Sequence, residues 1–266
     1  MQDGYVRLEF WQIGLAAALI LVNAGVSLAL KLGLAKRLLV AAFRTVVQLL
    51  LVGLVLEWIF AVGHWYVVLL MVTFMTLVAA AAAVRRTDRR YPGVWLDSLI
   101  SMWASSWLIA AVALLGIIEP EPWYLPQYAI PLTGMILGNT LNGISLGLDR
   151  FGDELDGKRD QVETLLALGA TRWEAARTPL EQSIRTGMIP TINTMMVVGL
   201  VSLPGMMTGQ LLAGANPIQA VMYQIVIMFL IAAGTALGTV SVVLLGYRRL
   251  FNADHQFLSQ RIARKR

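Results

Sequence analysis

The residue types that could do chemistry fall into one polar segment and a few positions inside long apolar runs. The sequence has no cysteine and only two histidines, His64 and His255. These counts exclude disulfides, thiolate metal sites and a cysteine nucleophile, and they are too few for a histidine metal cage. The candidate roles of the other polar residues are binding of a partner surface and binding of a solute enclosed by the apolar runs.

The polar segment, residues 149 to 187, has the pattern of two helices joined by a tight turn. Apolar positions mark one side of a first helix that ends at Gly169; they are Val162, Leu165, Leu166 and Leu168. Thr171 and Glu174 then form a Thr-x-x-Glu capping box that starts a second helix. The residues predicted to contact a partner are Glu163, Leu166, Gly169, Ala170, Thr171, Trp173 and Glu174.

The charges of this segment decide between two interpretations, a protein-docking element and a hairpin that lies on the membrane. A membrane-surface hairpin is typically rich in Lys and Arg on its polar face. This segment mixes acidic and basic side chains: Asp149, Asp153, Glu154, Asp156, Asp160 and Glu163 with Lys158, Arg159 and Arg172. The mixture favours a protein partner, and the solvated amphipathic hairpin is the alternative.

A partial phosphate-loop motif lies in the same segment but does not predict a nucleotide site. Gly152, Gly157 and Lys158 have the spacing of a Walker A loop, whereas Arg159 stands where Ser or Thr is required. The motif follows an apolar helix instead of a strand, and the acidic residues within it would repel phosphate. We therefore expect no nucleotide-binding domain and no cofactor in this chain.

The rest of the chain predicts an all-α, multi-pass membrane protein. Of its 266 residues, 58% are hydrophobic and 14% are charged, and the mean hydropathy is +0.68. Apolar runs long enough to cross a bilayer predict about seven transmembrane helices. They lie near residues 10 to 30, 38 to 60, 66 to 84, 94 to 118, 129 to 148, 188 to 210 and 218 to 246. The first run lacks a basic leader, so we expect a retained helix instead of a signal peptide.

Basic residues alternate between the predicted connections and so orient the chain. Lys and Arg are found after the first, third, fifth and seventh runs, and the loops near 61 to 65, 119 to 128 and 211 to 217 have none. By the positive-inside rule the N-terminus lies outside and the C-terminus in the cytoplasm. Residues 1 to 266 then form one transmembrane domain, with a cytoplasmic helix-turn-helix at 149 to 187.

Polar residues within the apolar runs are candidates for a solute pathway. In the second run Arg44 and Gln48 lie one turn apart, where they line a vestibule or reach the headgroups. Glu57 is a candidate at the outer end of that run, although an ordinary helix-end charge is the simpler interpretation. The remaining candidates are Asn139, Asn142, Met206, Met207, Thr208 and Gln210. For the methionines, core packing is the favoured interpretation.

The run from 188 to 247 has no Asp, Glu, Lys, Arg or His. A proton-coupled carrier places ionisable groups near the midplane of the membrane, so this composition argues that energy comes from another chain. Pro190, Pro204 and Gly205 interrupt the sixth run, and residues 203 to 217 have the pattern of a broken or re-entrant stretch that lines a cavity. We rank this stretch first for solute contact.

Several motifs together carry a resemblance to a known family. Glu163, Gly169, Ile184 and Pro190 resemble the EAA loop of ABC-importer permeases, with Thr164 and Leu165 in place of its two alanines. The runs Pro131 to Asn139, Ala167 to Thr171, Ile189 to Thr191 and Leu203 to Gln210, with Arg44 and Gln48, look like the Fet-type ABC permease family. That family includes bacterial iron exporters linked to oxidative-stress resistance and plant aluminium-tolerance permeases.

The resemblance implies a permease in the bacterial inner membrane, working as a homodimer with two cytoplasmic ABC ATPase subunits that bind ATP and Mg²⁺. It implies iron as the exported solute, whereas nucleotide sugars have been connected with the plant relatives. Export of another solute, such as a nucleotide sugar or a lipid, is one alternative. A membrane scaffold or receptor that transports nothing is another. No nucleic-acid partner is expected, because the basic residues lie in short segments between apolar runs.

Overall fold

The structure, a computed structural model, describes residues 9 to 264 and is built almost entirely of helices. In chain order the helices are α1 (Phe10–Ala29), α2 (Ala35–Val62), α3 (Trp65–Arg86), α4 (Val94–Val112), α5 (Pro126–Gly157), α6 (Arg159–Ala167), α7 (Arg172–Val197), α8 (Gly205–Leu212) and α9 (Pro217–Leu250). A π-helical turn, Ala113–Ile117, extends α4. Two short strands, β1 (Arg89–Arg90) and β2 (Ala263–Arg264), pair in antiparallel fashion. The predicted all-helical architecture is confirmed.

Helix α5 is the centre of the bundle and packs against α3, α4, α7 and α9. Ile144, Phe151 and Leu155 on α5 are fully buried, and they pack in one core with Val242 and Val243 of α9. Helices α1 and α2 pack mainly on each other. Their outward apolar side chains are exposed in the single chain, as expected for surfaces that meet lipid or another protein.

Five helical stretches in the described part of the chain are long and apolar enough to cross a membrane. They are Trp11–Ala29, Ala35–Val62, Trp65–Arg86, Val94–Ile117 and Pro217–Leu250. Helix α5, which contains the predicted fifth span, and α7, which contains the first part of the predicted sixth span, carry more polar side chains. The count of seven spans and the orientation of the chain remain predictions.

The predicted boundary at residue 148 is wrong, because α5 does not end where the sequence turns polar. It continues to Gly157, and α7 already begins at Arg172. Phe151 and Leu155 continue the buried face of α5, so the helix remains amphipathic beyond the apolar run. The segment 149 to 187 therefore consists of the ends of two long helices with α6 between them, so it has three helical parts where two were expected.

The predicted sixth helix, 188 to 210, is also wrong as a continuous element. Pro190 lies inside α7, which runs on to Val197. The break comes at residues 198 to 204, where Gly199 has a φ of +85° and Pro204 is extended. A proline removes only one helical N–H, whereas a left-handed residue reverses the chain. The short helix α8 after this break agrees with the interpretation of residues 203 to 217 as a broken stretch.

Candidate functional sites

The turn between α6 and α7 is closed by a Schellman motif around Gly169. Its backbone N–H donates to the carbonyl of Leu166 at 3.0 Å, and the N–H of Ala170 donates to that of Leu165 at 3.0 Å. Gly169 has a φ of +93°, a left-handed conformation that glycine adopts without a Cβ clash. The predicted glycine turn is confirmed, and its geometry fixes the direction in which α7 departs.

The predicted capping box at the start of α7 is confirmed as well. The Thr171 hydroxyl accepts from the Glu174 N–H at 3.3 Å, and the Glu174 carboxylate accepts from the Thr171 N–H at 2.7 Å. The Glu174 carboxylate accepts from the backbone N–H and from the hydroxyl of Thr171, and these two bonds lower its pKa below the ordinary value because they stabilise the charged form. The cap makes α7 start abruptly after the turn.

The end of this hairpin, residues 163 to 174, presents apolar side chains to solvent, and we call it the hairpin tip. Leu168 is 80% exposed, and Leu165 and Trp173 are each more than 40% exposed. The predicted apolar side of α6 is correct only for Val162, which is buried, and Leu166, which is half-buried. Leu165 and Leu168 point away because α6 contacts the bundle along one side only. An exposed apolar cluster of this kind is typical of a protein contact.

Other predicted contact residues lie on the same exposed surface. Glu163 is exposed and accepts a hydrogen bond from Arg159 one turn earlier at 2.7 Å. Ala170 is half-buried within the turn. The hairpin tip thus combines three apolar side chains with charged neighbours.

The hairpin tip is also held by the last turn of α9 and the segment after it, which the sequence did not indicate. The backbone N–H of Arg172 donates to Nδ1 of His255 at 2.9 Å, and the Arg172 guanidinium donates to the carbonyl of Asn252 at 3.0 Å. Trp173 packs edge-on against Tyr247 with ring centroids 5.6 Å apart. These partners are about 80 residues away in the chain, so no local pattern could reveal them.

Several charged side chains of the segment 149 to 187 form ion pairs within the chain, so they are less available to a partner. Arg89 in β1 donates to Asp153 at 2.6 Å and also pairs with Asp156. Hydrogen bonding to Asp153 raises the pKa of Arg89. Glu154 is buried and pairs with Arg150 and Lys158 at 2.5 Å. The mixed charges of the segment therefore stabilise the fold of the segment itself, in addition to forming a charged surface.

A cavity of about 210 Å³ lies where α8 meets α5, α7 and α9. It joins two predicted pathway residues, Asn139 and Met206, with residues that the sequence analysis missed. The missed residues are Met135, Thr191, Thr194, Gln224 and Met228. Thr194 and Gln224 are single uncharged side chains within apolar runs, which give no motif, and Thr191 was quoted only as part of the family resemblance. The broken stretch remains a predicted solute contact, and this cavity is the place in the structure where that contact would be made.

The other predicted methionine, Met207, faces a second cavity. That cavity measures about 570 Å³ and is lined mostly by apolar side chains, among them Met195, Leu203 and Phe229. Gln224 and Met228 line both cavities. Met206 and Met207 therefore do not act on one ligand from the same side.

Three of the predicted polar residues have other surroundings. The Thr208 hydroxyl donates to the carbonyl of Pro204 at 3.1 Å and so serves the backbone. Gln210 is half-buried, and its Oε1 has no hydrogen-bond partner among the described residues. Asn142 accepts from Arg86 at 2.7 Å and lines a separate cavity of about 350 Å³ with Asp149 and Arg86. Asn139 and Asn142 thus belong to different sites.

The predicted pair on α2 is close together and belongs to a different cavity. With its oxygen turned toward the guanidinium, the Gln48 amide accepts from Nε of Arg44 at 3.0 Å. Gln48 lines a cavity of about 690 Å³ between α2, α3 and α5, while Arg44 and Glu57 are exposed. Among the described residues no cluster of three or more His, Cys, Asp or Glu could hold a metal ion.

The fold and these sites define a class, a multi-pass helical membrane protein with a polar helical hairpin at one end of the bundle. Its family model matches residues 10 to 251, and the chain belongs to the uncharacterised protein family UPF0014. The predicted family is therefore confirmed, since its relatives include an iron export permease and plant aluminium-sensitivity proteins. No solved structure matches the chain.

Relatives align with nearly the full length of the chain. The UPF0014 membrane protein slr1647 of Synechocystis is 41% identical over 97% of this chain and 100% of its own. The probable iron export permease protein FetB of Escherichia coli is 35% identical over 95% of this chain and 96% of its own. The ALUMINUM SENSITIVE 3 protein of Arabidopsis thaliana is 29% identical over 91% of this chain and 88% of its own.

Proposed function

We propose that this chain is the membrane-spanning permease subunit of an ABC transporter that exports iron with ATP hydrolysed by a separate subunit. The observation that carries the proposal is the hairpin tip, an exposed apolar surface on a firmly anchored helical turn. Leu168 and Trp173 are exposed there, whereas Val162, Ala175 and Ala176 on the same two helices are buried in the core. Apolar anchors that project from a rigid base suit a cleft in a partner protein.

The helices that carry the tip also reach the cavities, which supports a coupling role. Helix α5 extends from Asn139 beside the smaller cavity to Gly157, next to α6. Helix α7 extends from the turn at Thr171 to Thr191 and Thr194 at the same cavity. A displacement of the tip by an ATPase would therefore move two walls of the cavity, since a packed helix moves as a stiff element.

ATP and Mg²⁺ belong to the partner subunit in this proposal. The sequence has no complete Walker A motif, and its partial match, Gly152 to Lys158, is the helical end of α5 with a buried Glu154. Phosphate binding needs free backbone N–H groups in a loop, which a continuous helix does not provide. The chain thus contributes the pathway and performs no hydrolysis.

We further propose a homodimer in the bacterial inner membrane, with the N-terminus outside and the hairpin tip in the cytoplasm. The exposed apolar surfaces of α1 and α2 are available for lipid and for a second copy. The alternation of Lys and Arg between connections supports the orientation. Iron as cargo is supported by the name of the Escherichia coli relative, and the name of the Arabidopsis relative refers to aluminium.

Affinity purification with a co-expressed ABC ATPase subunit from the same organism tests the docking role. Leu168→Asp places a charge at the most exposed leucine of the tip, and we expect it to reduce the retained ATPase at least tenfold. Gln161→Asp is the matched control, because it adds the same charge at an exposed position of α6 away from the tip. Retention of the ATPase by both Leu168→Asp and Trp173→Ala would refute docking at the tip.

Transport by the reconstituted complex tests the cargo. We expect iron to stimulate ATP hydrolysis and to accumulate on the far side of the membrane. Stimulation by a nucleotide sugar or a lipid, with no response to iron, would assign the complex to another solute. A chain that never retains any ATPase would instead be a scaffold or receptor.

A further inference from the structure

The amide of Gln224 is one of the buried polar groups without a partner in the described part of the chain, and it lines both cavities near α8. The residue is 6% exposed, and its Oε1 has no hydrogen-bond partner among the described residues. Buried amide oxygens are normally paired, so an unpaired one calls for a ligand or a functional role. Gln224 lines both cavities, and a half-turn about χ3 exchanges the positions of its amide oxygen and its NH2 group.

The N-terminus of α8 lies against the same cavity and supplies hydrogen-bond donors. Pro204 at the N-cap makes no side-chain capping bond, and the first N–H groups of a helix have no acceptor within it. Pro204, Gly205 and Met206 line the smaller cavity. The positive end of the α8 dipole therefore borders this cavity.

The remaining polar side chains of the cavity offer acceptors. Asn139 donates its Nδ2 to the carbonyl of Met135 at 2.9 Å, which leaves the amide oxygen available. The hydroxyl of Thr194 donates to the carbonyl of Pro190 at 2.9 Å, which leaves its lone pairs available. The cavity thus has amide donors at one wall and neutral oxygens at the others.

This set of groups discriminates between charged ligands. A bare cation would face a positive helix end with no carboxylate nearby, since residues 188 to 247 contain no charged side chain. A free multivalent anion would have only partial dipole charge to compensate it. A ligand of low net charge with both oxygen acceptors and hydroxyl donors matches the walls best.

We propose that the smaller cavity binds a small, near-neutral metal–carboxylate chelate, so that cargo metal enters as an oxygen-bound complex instead of a bare ion. The assignment of this ligand to transport rests on the proposed function. The volume of about 210 Å³ suits a ligand smaller than a drug-sized molecule. The α8 amides bind the carboxylate oxygens, and Gln224 and Asn139 each accept from an O–H of a water molecule bound to the chelated metal.

Equilibrium binding of radiolabelled ferric citrate to the full chain in lipid nanodiscs tests the site. Gly205→Pro removes one backbone N–H donor from the first turn of α8. The helix tolerates proline at this position, because the preceding Pro204 is extended and the space around Gly205 is open. Gly205→Ala is the matched control that keeps the N–H. We expect Gly205→Pro to weaken binding about tenfold and Gly205→Ala to leave it unchanged.

A second pair of variants tests the acceptor. Gln224→Met removes the amide at nearly constant size and should also weaken ferric citrate binding about tenfold, whereas Gln219→Met, at an exposed position of α9, should not. Unchanged binding in both Gly205→Pro and Gln224→Met overturns the proposal. The proposal is also overturned if ferrous iron without citrate binds more tightly than ferric citrate and this binding is lost in Met206→Leu. That result would indicate a cation site with a thioether ligand.

These results are separable from the proposed function. Ferric citrate binding that depends on Gly205 and Gln224 in a chain that retains no ATPase supports the site and refutes the coupled permease. ATPase retention with iron transport that ignores both variants supports the permease and refutes the site.

Discussion

Gly143 of α5 and Gly187 of α7 approach so closely that a Cβ on Gly187 would lie 2.7 Å from the Gly143 carbonyl oxygen. The same Cβ would lie 2.6 Å from a methyl group of Thr239 on α9. Three helices therefore cross at one point without room for a side chain. This crossing lies between the hairpin tip and the cavities, and it joins the helices that link the two.

Gly187→Ala should destabilise the protein by about 1–3 kcal/mol, because the added methyl overpacks a contact that includes backbone. Thermal unfolding in detergent measures the effect. Gly138→Ala on α5 is the control, since a Cβ there meets nothing within 4 Å. The control should be neutral or slightly stabilising, as alanine favours helix over glycine. Equal stability of the two variants would contradict the crossing.

Local signals predicted the hairpin well, because its turn is encoded by adjacent residues. The Thr171–Glu174 capping box and the left-handed Gly169 are short-range features, and both occur as expected. The sequence predicts α5 too short, because a change from apolar to polar residues also marks the end of many membrane helices. A helix leaving a membrane stays helical when one face remains buried, as Phe151 and Leu155 show.

The cavity was predicted only in part, for a physical reason. Asn139 and Met206 were candidates because each lies near a glycine-rich or broken segment. Gln224 gave no such signal, since one amide in an apolar run has no periodicity or motif. Its role depends on helix packing across the bundle. The link between Arg172 and His255 likewise depends on contacts distant in sequence.

Gly169→Ala should strain the turn by about 1–2 kcal/mol, because φ is +93° there while the space around a Cβ is open. The cost is therefore conformational and not steric. We expect faster amide hydrogen exchange across residues 165 to 174 and weaker ATPase retention. Gly157→Ala, which also has open space at the end of α5, is the control. Exchange equally slow in both variants would rule out a strained turn.

Arg249→Met should destabilise the protein by about 2–3 kcal/mol, because it leaves the Asp97 carboxylate buried without its partner. Arg249 donates to both oxygens of Asp97, at 2.6 and 2.8 Å, and Asp97 is 1% exposed. The figure lies below that of a fully buried pair, since the arginine side chain is 37% exposed. Denaturation of the single variants and of Asp97→Asn/Arg249→Met checks it. The double variant should recover part of the loss, and strict additivity would contradict the pairing.

The capping box should make the start of α7 sensitive to pH. Hydrogen bonds from Thr171 lower the folded-state pKa of Glu174 below its ordinary value of about 4.5, so the charged carboxylate is the stabilising form. Its contribution is complete above the unfolded pKa and is lost as the pH falls through the folded pKa. Amide hydrogen exchange of residues 171 to 176, compared between wild type and Glu174→Gln and corrected for intrinsic rates, measures it. Wild type should be the better protected at pH 7, and the difference should vanish below the folded pKa. A difference that persists at that acidity would show that the carboxylate's charge is not what stabilises the cap.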